Sequence, residues 1–120
     1  MKDDALYVAH ILECIRRIEE NVASGKETFM QSHVLQDATV RNLQTMAEST
    51  QRLSQGVRGA YPNVGWRELS GFRNVLVHNC FGVNLERIWE IIHGNLPILK
   101  EAVVDLARHT PPPDLADEQS

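Results

Sequence analysis

The sequence predicts an all-α protein, an up-and-down bundle of four or five helices. Three observations predict it. Apolar residues recur at three- and four-residue steps through most of the 120 residues. No stretch alternates apolar and polar residues for long enough to make a strand. The only substantial break, Gln55 to Gly65, holds Gly56, Gly59, Pro62, Asn63 and Gly65, and helical spacing resumes directly after it. At 42% apolar and 23% charged residues, the composition is that of a folded chain with room for one core. Residues 1–109 are expected to form that single helical domain, and the proline-led, acidic residues 110–120 a disordered tail.

Each element has its own signal. In the first helix, Val8, Ile11, Leu12, Ile15, Ile18 and Val22 make one apolar stripe. Asp3 and Asp4 favour its N-terminal end and Ser24-Gly25 stops it. A second, longer helix is read from about Glu27 to Leu53, with Phe29, Val40, Leu43, Met46, Ala47 and Leu53 on its apolar face and a polar middle at Gln36, Asp37 and Thr39. So sparse a stripe on so long a helix predicts two packing partners, one of them a second protomer. Trp66, Leu69, Phe72, Leu76 and Val77 form the next face, which ends near His78-Asn79. Phe81-Gly82-Val83 reads as a turn and Asn84 as the cap of a fourth helix bearing Leu85, Ile88, Trp89 and Ile92. Gly94-Asn95 reads as a break, with Asn95 capping a last helix that carries Pro97 in its first turn and Leu99, Val103 and Leu106 inside.

Charge and cysteine content exclude several function classes. The net charge of −4 argues against indiscriminate nucleic-acid binding. The charge is uneven, however: residues 41–87 carry six arginines against three glutamates, so an anionic partner is expected to meet that segment. No apolar run approaches the roughly 18 residues needed to cross a bilayer, and the N-terminus lacks a basic-then-apolar leader. The expectation is a cytoplasmic protein with no membrane partner. Cys14 and Cys80 are too few and too far apart for a disulfide framework or a paired metal site. The five histidines show no HxxxH or HExxH spacing, and Glu90/His93 is a single Glu-x-x-His pair where a bundle metal site wants two. There is no dinucleotide-binding glycine motif, no phosphate-binding loop and no nucleophile elbow. Neither a metal nor a cofactor is called for.

The one constellation left is Arg73-Asn74-Val75-Leu76-Val77-His78. On a helix, Asn74 and His78 are four apart and share a face, with Arg73 about 100° away. A permanent cation, an amide and a titratable imidazole along one short helix suit a phosphodiester. The imidazole moves a proton to or from a ribose hydroxyl or leaving oxygen. The guanidinium grips non-bridging oxygens and offsets charge developing on phosphorus. Neither role needs a metal. The ordinary alternative is an Arg73 paired with Glu68 or Glu86 and a His78 that simply ends its helix.

The stretch GFRNVLVHNCFGVNLERIWEIIHGNLPILK resembles the C-terminal signature of HepT-like toxins, within the HEPN superfamily of prokaryotic ribonucleases. Arg73, four intervening residues and His78 match the family's R-x4-H-x-Y motif. Gly82-Val83-Asn84, the run from Ile88 to Ile92, and the run from Asn95 to Lys100 match the family's pattern on the C-terminal side of that motif. Upstream, Asp37 to Leu43 and Ala47-Glu48 are similar to the family's long second helix. The resemblance implies a homodimeric, metal-independent ribonuclease of a toxin–antitoxin pair, its two motifs facing each other across a shared cleft. Arg73 would bind and stabilise the scissile phosphate, His78 would be the general acid/base, and Asn74 would orient His78 or the phosphate. Arg41, Arg52, Arg58 and Arg67 are candidates for further RNA contacts, against the alternative that each is plain solvated surface.

The departure is Cys80, where the family has the tyrosine that a minimal nucleotidyltransferase antitoxin modifies with AMP. A thiol offers no phenolic acceptor, and neither Tyr7 nor Tyr61 occupies the matching position. Two functions are therefore carried forward. One is the ribonuclease toxin with RNA as substrate, itself as dimer partner and a cognate antitoxin. The other is a non-catalytic module of the same fold that binds a nucleotide or a protein, which the net negative charge and the missing tyrosine favour.

Overall fold

The computed structural model describes residues 2–78 and 84–109, and among them every regular element is a helix. In order these are α1 (Lys2–Val22), α2 (Lys26–Gln31), α3 (His33–Gln51), α4 (Gln55–Ala60), α5 (Trp66–His78) and α6 (Leu85–His109). The four long helices α1, α3, α5 and α6 are the expected bundle. The six-residue helices α2 and α4 sit in its connections.

α1 forms as its pattern dictates. Asp3 and Asp4 stand in the first turn, where the helix dipole favours anions, and Ile11, Ile15 and Ile18 are at most 1% exposed. Its outer face carries an ion-pair ladder in which Arg16 bonds Glu13 and Glu20 and Arg17 bonds Glu13. Gly25, at φ +100°, takes a conformation that a side chain would strain and turns the chain into α2.

The single long helix read over Glu27–Leu53 is corrected to two. Ser32 is extended (φ −115°, ψ 106°), and its hydroxyl accepts from the Leu35 amide at 3.2 Å, so it caps α3. Gln36 Nε2 donates to the carbonyls of Phe29 and Met30, closing the end of α2. The reason is burial. Phe29 is fully buried, but the next positions on its helical face would be polar Ser32, His33 and Gln36. Breaking the helix lets Phe29 enter the core against Trp89, at 5.5 Å between ring centroids, while α3 buries Thr39, Leu43, Met46 and Ala47.

Gln55–Gly65 is likewise part helix. Ser54 caps α4 by accepting from the Val57 amide, and Ser54 is itself held by Asp4, whose carboxylate accepts from the Ser54 amide at 2.8 Å and hydroxyl at 2.9 Å. Val64 then drops into the core. Trp66 closes the corner, its indole N–H shared between the carbonyls of Arg58 and Tyr61.

The break read at Gly94-Asn95 does not occur, and α6 is continuous from Leu85 to His109 with Pro97 inside it. Its buried residues Ile88, Ile91, Ile92, Leu96, Leu99, Val103 and Leu106 keep three- and four-residue spacing straight through the glycine, and that stripe outweighs the local breakers. Pro97 takes an amide away from the His93 carbonyl, but both residues are exposed, so water can serve in its place. Asn95 is not a cap; its Nδ2 donates to Glu68 Oε2 at 2.9 Å. Asn84 does cap α6, accepting from the Arg87 amide at 3.2 Å.

Contacts near the helix ends set the directions. Asp4 in the first turn of α1 meets Ser54 just past α3. Lys26, beyond the end of α1, pairs with Glu86 at the start of α6. Tyr61, ahead of α5, bonds Asp105 near the end of α6. Successive long helices therefore run in opposite directions, with α1 packed on α3 and α6, and α3 on α5. No described helix is long and apolar enough to cross a membrane. The Phe81–Val83 turn and the 110–120 tail lie outside the described residues.

Candidate active site

Arg73, Asn74 and His78 all fall on the backbone of α5, and His78 is the last described residue on it. Asn74 and His78 are one helical turn apart on one face, and Arg73 is about 100° round from Asn74, as the spacing requires. Cys80 lies outside the described residues. α5 is held in place by Leu69 (2% exposed) and Phe72 (7% exposed), which enter the core, and by the Glu68–Asn95 hydrogen bond to α6. The two carboxylates considered as partners for Arg73 have other bonds: Glu68 accepts from Asn95, and Glu86 pairs with Lys26 at 2.8 Å.

The four further arginines separate by environment. Arg41 on α3 and Arg67 in the first turn of α5 are exposed. Arg52, just beyond α3, lies 5.9 Å from the Tyr7 ring centroid in a cation–π contact. A hydrogen bond to Tyr7 raises its already high pKa further. Arg58 is half-buried at the α4–α5 corner, where its carbonyl receives the Trp66 indole and its Nε has no hydrogen-bond partner. The Arg52 side chain is thus tied to Tyr7, that of Arg58 is half-buried at the corner, and Arg41 and Arg67 stand in solvent.

The sequence reading missed the Tyr7–His10–Arg52 cluster, in which Tyr7 and His10 meet edge to face at 6.2 Å. Arg52 is 42 residues or more from the other two, across the α1–α3 pair, and no local spacing signals the cluster. Cys14 is buried, and burial pushes its thiol pKa up, which suppresses the reactive thiolate. Glu90 and His93 are engaged separately: Glu90 pairs with Arg87, and the His93 ring lies 4.3 Å from that of Trp89 with Nδ1 at 2.9 Å from the Trp89 carbonyl. Among the described residues no three His, Cys, Asp or Glu side chains gather as metal ligands. An open groove of about 1190 Å³ runs along α6, its described lining coming from α1, the α4–α5 connection and α6.

The described helices form an up-and-down body with an Arg-x4-His pattern on the third long helix, and comparison with known proteins gives its class. A family model described as "Ribonuclease HepT-like" matches residues 11–106, from the middle of α1 into the last turn of α6, with all of α5 inside it. The chain belongs to the HepT-like ribonuclease family. A Caldanaerobacter subterraneus protein named as a candidate RNase is 36% identical over 107 residues, which cover 88% of this chain and 96% of that protein. A Methanocaldococcus jannaschii protein named both as a gamma-glutamylcyclotransferase and as a candidate RNase is 35% identical over 106 residues; these cover 88% of this chain but only 48% of that longer protein. A probable ribonuclease HepT of Thermococcus cleftensis is 30% identical over 95 residues, covering 78% of this chain and 86% of its own. No solved structure matches the chain significantly.

Proposed function

We propose that this member of the family is a metal-independent endoribonuclease, the toxin of a toxin–antitoxin pair, acting on an RNA phosphodiester with Arg73 and His78. The observation that carries the reading is the placement of Arg73, Asn74 and His78 on one short helix inside the matched region. Arg73 binds the non-bridging oxygens of the scissile phosphate and offsets their developing charge. His78 moves the proton at the ribose hydroxyl or the leaving oxygen, acting as general acid and base. Asn74 orients His78 or the phosphate. Two copies related by a twofold axis bring their α5 helices to a shared cleft. Residues 1–109 are the functional domain. A minimal nucleotidyltransferase antitoxin is the expected partner; with cysteine at position 80 either it acts by occlusion, or this chain has lost that regulation or its activity, or the cysteine is a simple substitution, and restoring Cys80→Tyr tests regulation.

The test is cleavage of RNA by the purified protein in excess EDTA, wild type beside His78→Ala and Arg73→Ala. EDTA-resistant cutting lost in both variants supports the reading, and cutting retained in either counts against the assigned roles. A second reading, a non-catalytic binding module, is favoured by the net charge of −4 and by Cys80. Binding of nucleotide or partner with no turnover by wild type would select it. A monomer by light scattering at micromolar concentration would remove the shared cleft.

A further inference from the structure

We infer that Arg67 is a phosphate-binding residue for RNA lying along the outward face of α5, a subsite beyond the scissile phosphate; this rests on the ribonuclease reading above. Arg67, Gly71, Asn74 and His78 stand at successive steps of four, three and four residues on α5. Those steps place them within about 60° of arc, on a line roughly 16 Å long. The arc is opposite the one occupied by Leu69 and Phe72, which are buried, so this is the face of α5 turned away from the core.

Two observations make that line a track. The first is that Arg67 is exposed and has neither an ion pair nor a hydrogen bond among the described residues. Six of the twelve lysines and arginines are engaged: Arg16 and Arg17 with Glu13, Lys26 with Glu86, Arg52 with Tyr7, Arg87 with Glu90 and Lys100 with Glu19. The second is that a side chain added at Gly71 would meet no heavy atom of the described residues within 4 Å. Gly71 puts no side chain of its own between Arg67 and the Asn74/His78 positions, which leaves space there for a ribose or a base. RNA carries a phosphate at every nucleotide, and a chain of net charge −4 repels it unless cations are placed along its path. Arg67 meets that need a few nucleotides from the scissile bond. Its planar fork suits a phosphate contact.

The test is fluorescence-anisotropy titration of a labelled 2′-O-methyl hexaribonucleotide, which cannot be cleaved through its 2′ oxygen, at several salt concentrations. The proteins are wild type, Arg67→Gln, Arg67→Lys and Arg108→Gln, with RNA cleavage measured alongside. Arg108 is also exposed and free of partners among the described residues, but lies at the far end of α6, so it controls for bulk charge. The expected result is severalfold weaker binding by Arg67→Gln and a slope of log affinity against log salt shallower by about 0.7, the loss of one single-strand phosphate contact. Arg67→Lys should recover most of the affinity and Arg108→Gln should bind like wild type. Wild-type affinity and slope in Arg67→Gln overturn the subsite, as does an equal loss in Arg108→Gln. Failure of the two readings is distinguishable. If wild type cuts no RNA but hexanucleotide binding depends on Arg67, the ribonuclease reading falls and the track stands. If cutting is normal and Arg67→Gln binds normally, the track falls alone.

Discussion

Asp4→Ala should destabilise the protein far more than a substitution so close to the N-terminus ordinarily does. Asp4 is 4% exposed and accepts two hydrogen bonds from Ser54, one from the amide at 2.8 Å and one from the hydroxyl at 2.9 Å. Hydrogen bonds to a charged group contribute about 1.5–3 kcal/mol each. Truncation removes both and leaves the Ser54 amide without its partner, while the Ser54 hydroxyl still caps Val57. Since Ser54 is only partly buried, water recovers some of the loss, and the expected cost is about 2–4 kcal/mol. At roughly 4 °C per kcal/mol for a chain of this size, the melting midpoint should fall by about 8–16 °C. Circular dichroism at 222 nm with thermal and urea unfolding reads this directly. Asp3→Ala is the matched control: Asp3 is in the same turn but exposed, so only its helix-dipole contribution, about 0.3–1 kcal/mol, is at stake. An Asp4→Ala cost no larger than that of Asp3→Ala would refute the reasoning. So would an additive Asp4→Ala/Ser54→Ala double-mutant cycle, because residues that share a bond must couple.

Pro97→Ala should stabilise by about 1–3 kcal/mol, because it restores an amide to the His93 carbonyl inside a continuous helix; a neutral result in urea unfolding would mean a helix start at that point after all. Phe29→Ala should cost about 3–5 kcal/mol and shift the tryptophan emission, since Phe29 is fully buried against Trp89; an unshifted spectrum would argue against that contact. Glu13 has its pKa lowered to about 2, chiefly by hydrogen bonds from Arg16 and Arg17. Its folded-state pKa lies below its unfolded value of 4.5, so its contribution is complete above pH 4.5 and lost as pH falls toward about 2. Glu13→Gln should flatten the stability profile in that window, and an unchanged acid limb would show the ladder contributes nothing.

The fold was legible wherever one apolar stripe decided it. The spacing of Ile11, Ile15 and Ile18 reads directly as a buried helical face, and Asn84 reads directly as a cap because capping is a local bond. The errors arose where tertiary burial overrode local signals. Gly94, Asn95 and Pro97 are helix breakers in isolation, but the unbroken stripe from Ile88 to Leu106 carries the helix through them. Ser32 was hidden within helix-compatible neighbours, and its role comes from the need to bury Phe29 in the core. At the candidate site, the register of Arg73, Asn74 and His78 was legible because it depends only on residues five apart in the chain. The exposure of Arg67 and its lack of a partner among the described residues, and the engagement of Arg52 by Tyr7, depend on helices distant in sequence.

The order in which these helices meet has a consequence for how the chain is made. α1 packs on both α3 and α6, so its apolar face waits for a partner encoded at the other end of the domain. At translation rates of about 5–20 residues per second, roughly 3–11 seconds separate the synthesis of Gln51 and Leu106. During that interval Val8, Ile11, Ile15 and Ile18 have α3 but not the helix that completes their burial. On a crowded polysome, α6 of one chain can dock on α1 of another, so the expected misassembled product is a swapped pair that exchanges its last helix.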